Sequence, residues 1–422
     1  MGKILKLLKI SWRNVFRNRR RSALTLLILV SGSSCLLAMG GFLDDLLWNL
    51  RETTIHGQLG HFLASPKGYW ERGSSTPFNF LIKDADRVQK TFDAAVPDSF
   101  SVPRIKFGGL LSNESDGVSV VALGVDPAAE QRMGSYVNPG LKRPVTNIIQ
   151  GKDLDANDPY GILLGEGLMK VLNLKVGDSV TFISTRPEGA IDGSAFRVRG
   201  VFQTIIKDVG ERLIKLPLKT AQDILGIPNQ VNSFLIVLQD TDLTEPVLAS
   251  LSKQKFQELA GLEILPWSEQ SIYYNQSKDF LNNLFLIIKA VISLIFIVSI
   301  ANTVNMALFE RMKEYGTMMA IGNSRMTIFS MIVFEAVILG LAGSLLGLLV
   351  GYGITQAITG LELKIPPPPT TGANDWFFIN FLLTPKLFVQ VFLISFLSAI
   401  VSAILPAYRA SHIKIVQALG YV

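Results

Sequence analysis

Glu52, His56 and His61 come nearest in this chain to a set of residues spaced for metal chemistry. Glu52 and His56 stand one helical turn apart, but Gly57 and Gly60 break a helix before His61, so the three are not read as a metal centre. No G-x-S-x-G nucleophile elbow occurs, paired catalytic carboxylates cannot be nominated, and Cys35, the only cysteine, has no histidine partner. The phosphate-cradling run G-x-x-x-x-G-K-[ST] is also absent: Gly2-Lys3 and Gly151-Lys152 lack the upstream glycine and the following hydroxyl residue. What the chain offers instead is Glu310-Arg311-Met312-Lys313-Glu314, a short charged loop between two long apolar runs, followed by Tyr315, Gly316, Ala320 and Gly322. Charges of both signs in such a turn suit docking into a groove of a soluble partner that delivers force. The plainer alternative is contact with lipid head groups.

The elements that hold this turn follow from composition. Of 422 residues, 49% are hydrophobic and only 18% charged, too apolar for an ordinary soluble enzyme of this length. Ser22 to Leu43 contains no charge, Phe280 to Phe309 only Lys289, Met326 to Leu361 only Glu335, and Leu387 to Tyr408 none. Each exceeds the roughly 20 apolar residues a helix needs to cross a bilayer, so four spans are expected. Cys35 lies in the first of them and is read as a buried small side chain; one thiol excludes an internal disulfide. Lys3, Lys6, Lys9, Arg13, Arg17, Arg19, Arg20 and Arg21 precede the first span, whereas Asp44 and Asp45 follow it, which puts both termini and the charged turn on the cytoplasmic side. The net charge of +6 belongs to these membrane flanks and gives no reason to invoke nucleic acid.

The expected layout is therefore a cytoplasmic interfacial amphipathic helix at 1–21, a first span at 22–48, a large α+β extracytoplasmic (periplasmic) domain at 49–278, and a membrane domain at 279–422. That last part carries spans at about 280–308, 326–358 and 386–408 and a turn helix at about 309–323. Within the large domain, alternation and turn residues predict strands over 117–125, 161–165, 176–182, 196–202 and 233–239 and helices over 85–95, 218–225 and 243–259. The strands around 176–202 read as a small antiparallel sheet, inserted near 130–225. Gly340, Gly343, Gly347 and Gly351 make a small-residue face on the third span, packing within one protomer or across a dimer. Lys289 either snorkels toward the outer surface or faces a candidate substrate cavity between protomers, and Glu335 reads as a structural hydrogen-bonding group near the cytoplasmic end. Pro366 to Pro369 form a stiff extended connector.

The order Asn302, Asn305, Glu310-Arg311, Glu314, Gly316, Ala320, Gly322, Arg325 and Glu335, with Pro406-Ala407-Tyr408-Arg409-Ala410-Ser411 and Ala418-Leu419 near the end, resembles the permease domain shared by FtsX, MacB and LolC/LolE proteins of ABC transporters. Asn323 and Ile415 depart from the usual pattern, where Ala and Pro are common. The resemblance implies a non-catalytic transport subunit in the inner membrane, with a MacB-like domain at 49–278 and an FtsX-like domain at 279–422. It implies ATPase coupling through Glu310, Arg311, Lys313, Glu314, Gly316, Ala320 and Gly322. No cofactor is expected on this chain, with ATP and magnesium on a partner ATPase dimer. A second permease copy or a sister permease, the lipid bilayer and a periplasmic carrier complete the implied partners. The layout is closest to LolC/LolE-type permeases, which implies lipoprotein release; MacB-like export and FtsX-like signalling to a cell-wall hydrolase are the alternatives.

Overall fold

In the computed structural model, residues 10–15, 17, 19–73, 75–96, 98–113, 115–140, 142–203, 210–253, 259, 261–366, 377–415 and 418 are described. The expectations for residues 1–9, 16 and 18, for the prolines at 367–369 and for Leu419 lie outside them. In chain order the helices longer than one turn are α1 (Arg19–Thr54), α2 (Ala85–Ala95), α3 (Pro127–Gly134), α4 (Glu166–Val171), α5 (Leu218–Leu225), α6 (Thr244–Lys253), α7 (Ile272–Glu310), α8 (Met312–Ala320), α9 (Arg325–Gly360) and α10 (Pro385–Ser411). The longer strands are β1 (Phe62–Pro66), β2 (Ser99–Ser112), β3 (Gly117–Val125), β4 (Asn147–Gly151), β5 (Gly161–Gly165), β6 (Ser179–Thr185), β7 (Ile191–Gln203), β8 (Leu213–Pro217), β9 (Ser233–Leu238) and β10 (Leu262–Pro266). The chain forms two compact units, one of Met1–Leu47, Lys278–Leu363 and Ile379–Val422, the other of Trp48–Ser277 and Lys364–Phe378.

The first unit is helical because its sequence leaves the backbone no other way to satisfy its hydrogen bonds in hydrocarbon. Among the described residues four helices are long and apolar enough to cross a membrane. Their starts are written in side chains: Ser324 accepts from the Thr327 amide to cap α9, and Thr384 accepts from Leu387 to cap α10, with Pro385 in its first turn. Leu29, Leu36 and Leu37 of α1 pack with Phe296 and Ile300 of α7 and with Val391 and Ala399 of α10. Ser33 and Ser395 join hydroxyls at 2.7 Å, so two buried polar groups satisfy each other. Cys35 corrects an expectation: it is exposed, because Gly32, Leu36 and Leu37 occupy the packed side of α1 and turn it outward.

In the second unit these ten strands form one sheet, ordered β10-β1-β9-β2-β3-β8-β5-β7-β4, with β6 pairing both β2 and β7, while Val137–Asn138 pairs Arg143–Pro144 and Lys364–Ile365 pairs Phe377–Phe378 in two separate short ladders. That last pairing closes a ring, β2-β3-β8-β5-β7-β6, so six strands make a barrel and β9, β1 and β10 extend from it as an open sheet. The expected small antiparallel sheet is thus overturned in two ways. The strands around 176–202 are continuous with the rest through β2, and two ring pairs, β3 with β8 and β5 with β7, are parallel. Phe107, Phe182 and Phe196, from three barrel strands, meet edge to face, with centroids 5.8 and 6.4 Å apart. The same core runs on through Phe62, Phe234 and Phe92, where α2 covers the open sheet.

Helices α2 and α5 and strands β3 and β5 have the bounds read from the sequence. Strand β6 begins three residues later than expected. Gly177 sits at φ +102° and the Asp178 carboxylate accepts from the Lys175 amide, so Val176-Gly177-Asp178 is a turn. The helix expected over 243–259 opens as a 3-10 turn at Thr241–Leu243 before α6, which is described to Lys253; residues 254–258 of the expectation lie outside the described residues.

Candidate functional site

The charged turn is a junction of three helices. Helix α7 ends at Glu310, Arg311 bridges, and α8 runs from Met312 to Ala320. Its stop is chemical: Gly322 takes φ +96° and its amide donates to the Met319 carbonyl, while the Asn323 amide donates to Met318. This pair of bonds is the glycine-dependent helix stop in which a left-handed residue closes the last turn. Ser324 then caps α9 at once, so only Asn323 separates the two helical segments' end groups.

Burial divides α8 into two faces. Arg311, Met312, Tyr315 and Gly316 are buried, and Tyr315 packs with Leu308, Ile328, Met331 and Ile332. Burial raises the Tyr315 hydroxyl well above its usual pKa, so it stays neutral. Lys313, Glu314, Thr317, Ala320, Ile321 and Gly322 are exposed, and Ile321 shows three-quarters of its surface.

The charges are held by partners far away in sequence. Glu310 pairs with Arg21, and Glu314 with Arg17 at 2.5 Å. Arg311, almost wholly buried, reaches Glu335 at 3.1 Å and Glu314 at 3.5 Å, and the Asn14 amide donates to the same Glu335 carboxylate at 2.7 Å. Burial opposes the Arg311 charge, but the acidic groups around it outweigh that and lift its pKa. Among the described residues Lys313 is the one charged side chain of the turn without an ion pair. Sequence reasoning read Arg17 and Arg21 as topology signals and missed that they clamp the turn; nothing local in the sequence announces a contact 297 residues long.

The other sequence-nominated residues lie elsewhere. A Cβ on Gly343, Gly347 or Gly351 would fall 2.5–2.9 Å from Leu29, Ser33 or Ser34 of α1, and one on Gly340 would fall 2.9 Å from Ala399 of α10. The stripe therefore meets two helices of its own chain, and the Ser34 hydroxyl donates to the Gly347 carbonyl at 2.9 Å. Lys289 is 21 residues before Glu310 on α7, about 30 Å away at 1.5 Å per residue. Its ammonium sits 4.5 Å over the Phe285 ring, one turn toward the start of α7.

Among the described residues no three His, Cys, Asp or Glu side chains are placed to hold a metal. His61 has a different role. The Leu238 amide donates to its Nδ1, so its proton sits on Nε2, 3.1 Å from the Thr241 hydroxyl, which donates to Glu52. Burial, with His56 beside it, draws the His61 pKa down to about 3. The sign follows: below the unfolded value of about 6.5 only the unfolded chain takes up this proton, so stability falls as pH drops from 6.5 toward 3. Between pH 6.5 and pH 5 this one group should cost about 2 kcal/mol. Chemical denaturation at the two pH values should register it, and the loss should shrink in His61→Asn; equal slopes for parent and variant would remove the assignment.

Two family models cover most of the chain. Residues 286–415 match the FtsX-like permease C-terminal model and residues 22–254, more than half of the chain, the MacB-like periplasmic core domain. The chain belongs to the FtsX/MacB family of ABC transporter permeases. An ABC transporter permease of Methanocaldococcus jannaschii is 24% identical over 65% of this chain, which spans just under two thirds, 65%, of that relative. LolE of Haemophilus influenzae is 22% identical over 75% of this chain and 76% of its own length. The permease YvrN of Bacillus subtilis is 24% identical over 99% of this chain and 100% of its own. The periplasmic region of MacB from Actinobacillus actinomycetemcomitans is similar to 51% of the chain and 92% of itself, at 14% identity and a TM-score of 0.34, too low to add to the family match. As an FtsX/MacB-type permease the protein is a transport component of the cytoplasmic membrane, multi-pass, with its large α+β domain between the first and second spans.

Proposed function

We propose that this permease passes the closing stroke of a separate ATP-hydrolysing subunit to its extracytoplasmic domain, as in MacB-like export. The observation that carries this reading is the exposed stripe Lys313, Glu314, Thr317, Ala320 and Ile321, standing on a helix pinned from behind by Arg311 and Tyr315. An apolar knob rimmed by both signs of charge suits a groove in a soluble partner: the knob supplies affinity and the rim supplies register. ATP and magnesium would belong to that partner dimer, working on two permease subunits, alike or sister. The MacB-like reading stands ahead of lipoprotein release because the MacB-like core domain matches across 22–254.

Glu314→Lys tests the turn. The Glu314 side chain is half exposed, and its ion pairs are of the surface kind, worth at most about 1 kcal/mol, so the variant should fold and insert. Reversing the charge on a docking rim should cut permease-coupled ATP turnover about tenfold or more. Undiminished coupling in a folded Glu314→Lys protein would refute the role given to the turn.

A second reading rests on relatives whose names state a task. LolE and LolC of Haemophilus influenzae, 22% and 21% identical, are transmembrane proteins of a lipoprotein-releasing system. If this chain does the same work with a periplasmic carrier, depleting it should strand lipidated proteins in the cytoplasmic membrane. Unchanged sorting after complete loss would eliminate that task and leave export standing.

A further inference from the structure

Strand periodicity sends alternate residues of β2, β8 and β9 to opposite faces. Ile105, Phe107, Ile214, Leu216, Phe234 and Ile236 enter the main core. The intervening Arg104, Lys106, Leu213, Lys215, Ser233 and Leu235 line a cavity of about 320 Å³ on the other face. Register makes this a cluster: Leu123 of β3 is paired with Lys106 on one side and Lys215 on the other, and Arg104 stands opposite Ser233.

The cavity carries more positive charge than its surroundings neutralise. Arg104 and Lys215 are buried and share one carboxylate, Glu130: Arg104 Nη2 at 2.7 Å and Lys215 Nζ at 2.7 Å. Arg104 spends its remaining terminal nitrogen on the Gln58 carbonyl, whereas the Lys215 ammonium lies over the Phe202 ring at 5.1 Å. Lys106 is exposed, and among the described residues its ammonium has no ion pair, yet enough protein surrounds it that desolvation lowers its pKa. No acidic side chain among the described residues lines the cavity itself. Three cations, against Glu130 paired to two of them and Asp153 near enough to feel the charge of Lys215, leave a positive field over a wall of Leu59, Leu63, Leu123, Val145, Phe202 and Leu235. Small-ligand pockets have this build, mostly apolar with a few aimed polar groups, and begin at roughly 300 Å³.

We propose that this cavity binds a small anionic amphiphile, with its carboxylate or phosphate head group at Lys106 and Lys215 and its apolar tail against Leu63, Phe202 and Leu235. Neither a bare anion nor a neutral chain matches the lining, since the first leaves the apolar wall idle and the second leaves the cations unanswered. The site belongs to the extracytoplasmic domain alone and does not depend on how the coupling turn works.

Trp70 also lines the cavity and reports on it. With the full-length protein in phosphatidylcholine nanodiscs, 8-bromooctanoate should quench tryptophan fluorescence saturably, and Trp70→Phe should abolish the saturable part. Lys106→Gln, at an exposed position that should fold normally, is expected to weaken binding about tenfold, and 8-bromooctanol should bind about tenfold more weakly than the acid. Displacement by octanoate or by octyl phosphate supports the site, and the tighter competitor names the head group. Quenching that never saturates, survives in Trp70→Phe, or is equal for acid and alcohol would overturn the proposal, as would displacement by inorganic phosphate alone.

Discussion

Replacing Glu130 with alanine is expected to destabilise the extracytoplasmic domain by about 3–5 kcal/mol, the usual cost of stripping the counter-charge from buried ions. Burial alone would push this carboxyl's pKa up, but Arg104 and Lys215 outweigh it and hold the pKa at about 2. Glu130 is therefore ionised throughout the working pH range. Its contribution is present in full above the unfolded value near 4.5 and is lost as pH falls through 2. Hydrogen exchange in the full-length protein should show it as lost protection in β2, β3 and β8, the strands nearest the triad. Arg104→Met with Glu130→Leu and Lys215→Met should recover most of the loss, since an apolar trio leaves no charge stranded. Unchanged protection in Glu130→Ala would mean that the two cations reach water and that the triad is not closed.

The second large effect is expected at Arg311. Arg311→Met leaves the Glu335 carboxylate inside a helical bundle with, among the described residues, the Asn14 amide at 2.7 Å as its remaining hydrogen-bond partner, and it frees the buried end of α8. A loss of about 3–5 kcal/mol should appear as a lower denaturation temperature in detergent, with permease-coupled ATP turnover falling about tenfold or more. The double variant Arg311→Met, Glu335→Leu separates the two losses. It should regain thermal stability, because the stranded acid is gone, without regaining coupling, because α8 has lost its anchor. Recovery of both together would make Arg311 a purely structural residue.

The sequence is legible where a signal is local. Long apolar runs with at most one charge mark α1, α7, α9 and α10 because a bilayer demands them, and the alternating burial of β3 follows from its two faces meeting different surroundings. Pairing is not local. Nothing in Ser179–Thr185 says that it will join β2 as well as β7, and so the barrel cannot be read by eye from a strand list. The clamp on the charged turn is hidden for the same reason: Arg17 and Arg21 are adequately explained as positive-inside residues until the fold brings Glu314 and Glu310 beside them. The cationic cavity did leave a trace. Arg104 and Lys106 stand two apart and alternate with Ile105 and Phe107, which is the pattern of a strand with one charged face. Glu130 and Lys215, from a helix and a distant strand, complete it only in three dimensions.

Strand β2 is fourteen residues long and is the seam common to barrel and open sheet: it bonds to β9 through Ser99–Arg104, to β3 through Arg104–Ser112 and to β6 through Leu110–Ser112. Bending between the barrel and the open sheet would have to break this continuous ladder, so the two parts of the domain are held as one body. A ligand in the proposed cavity beside Arg104 would therefore move with both parts instead of being squeezed between them.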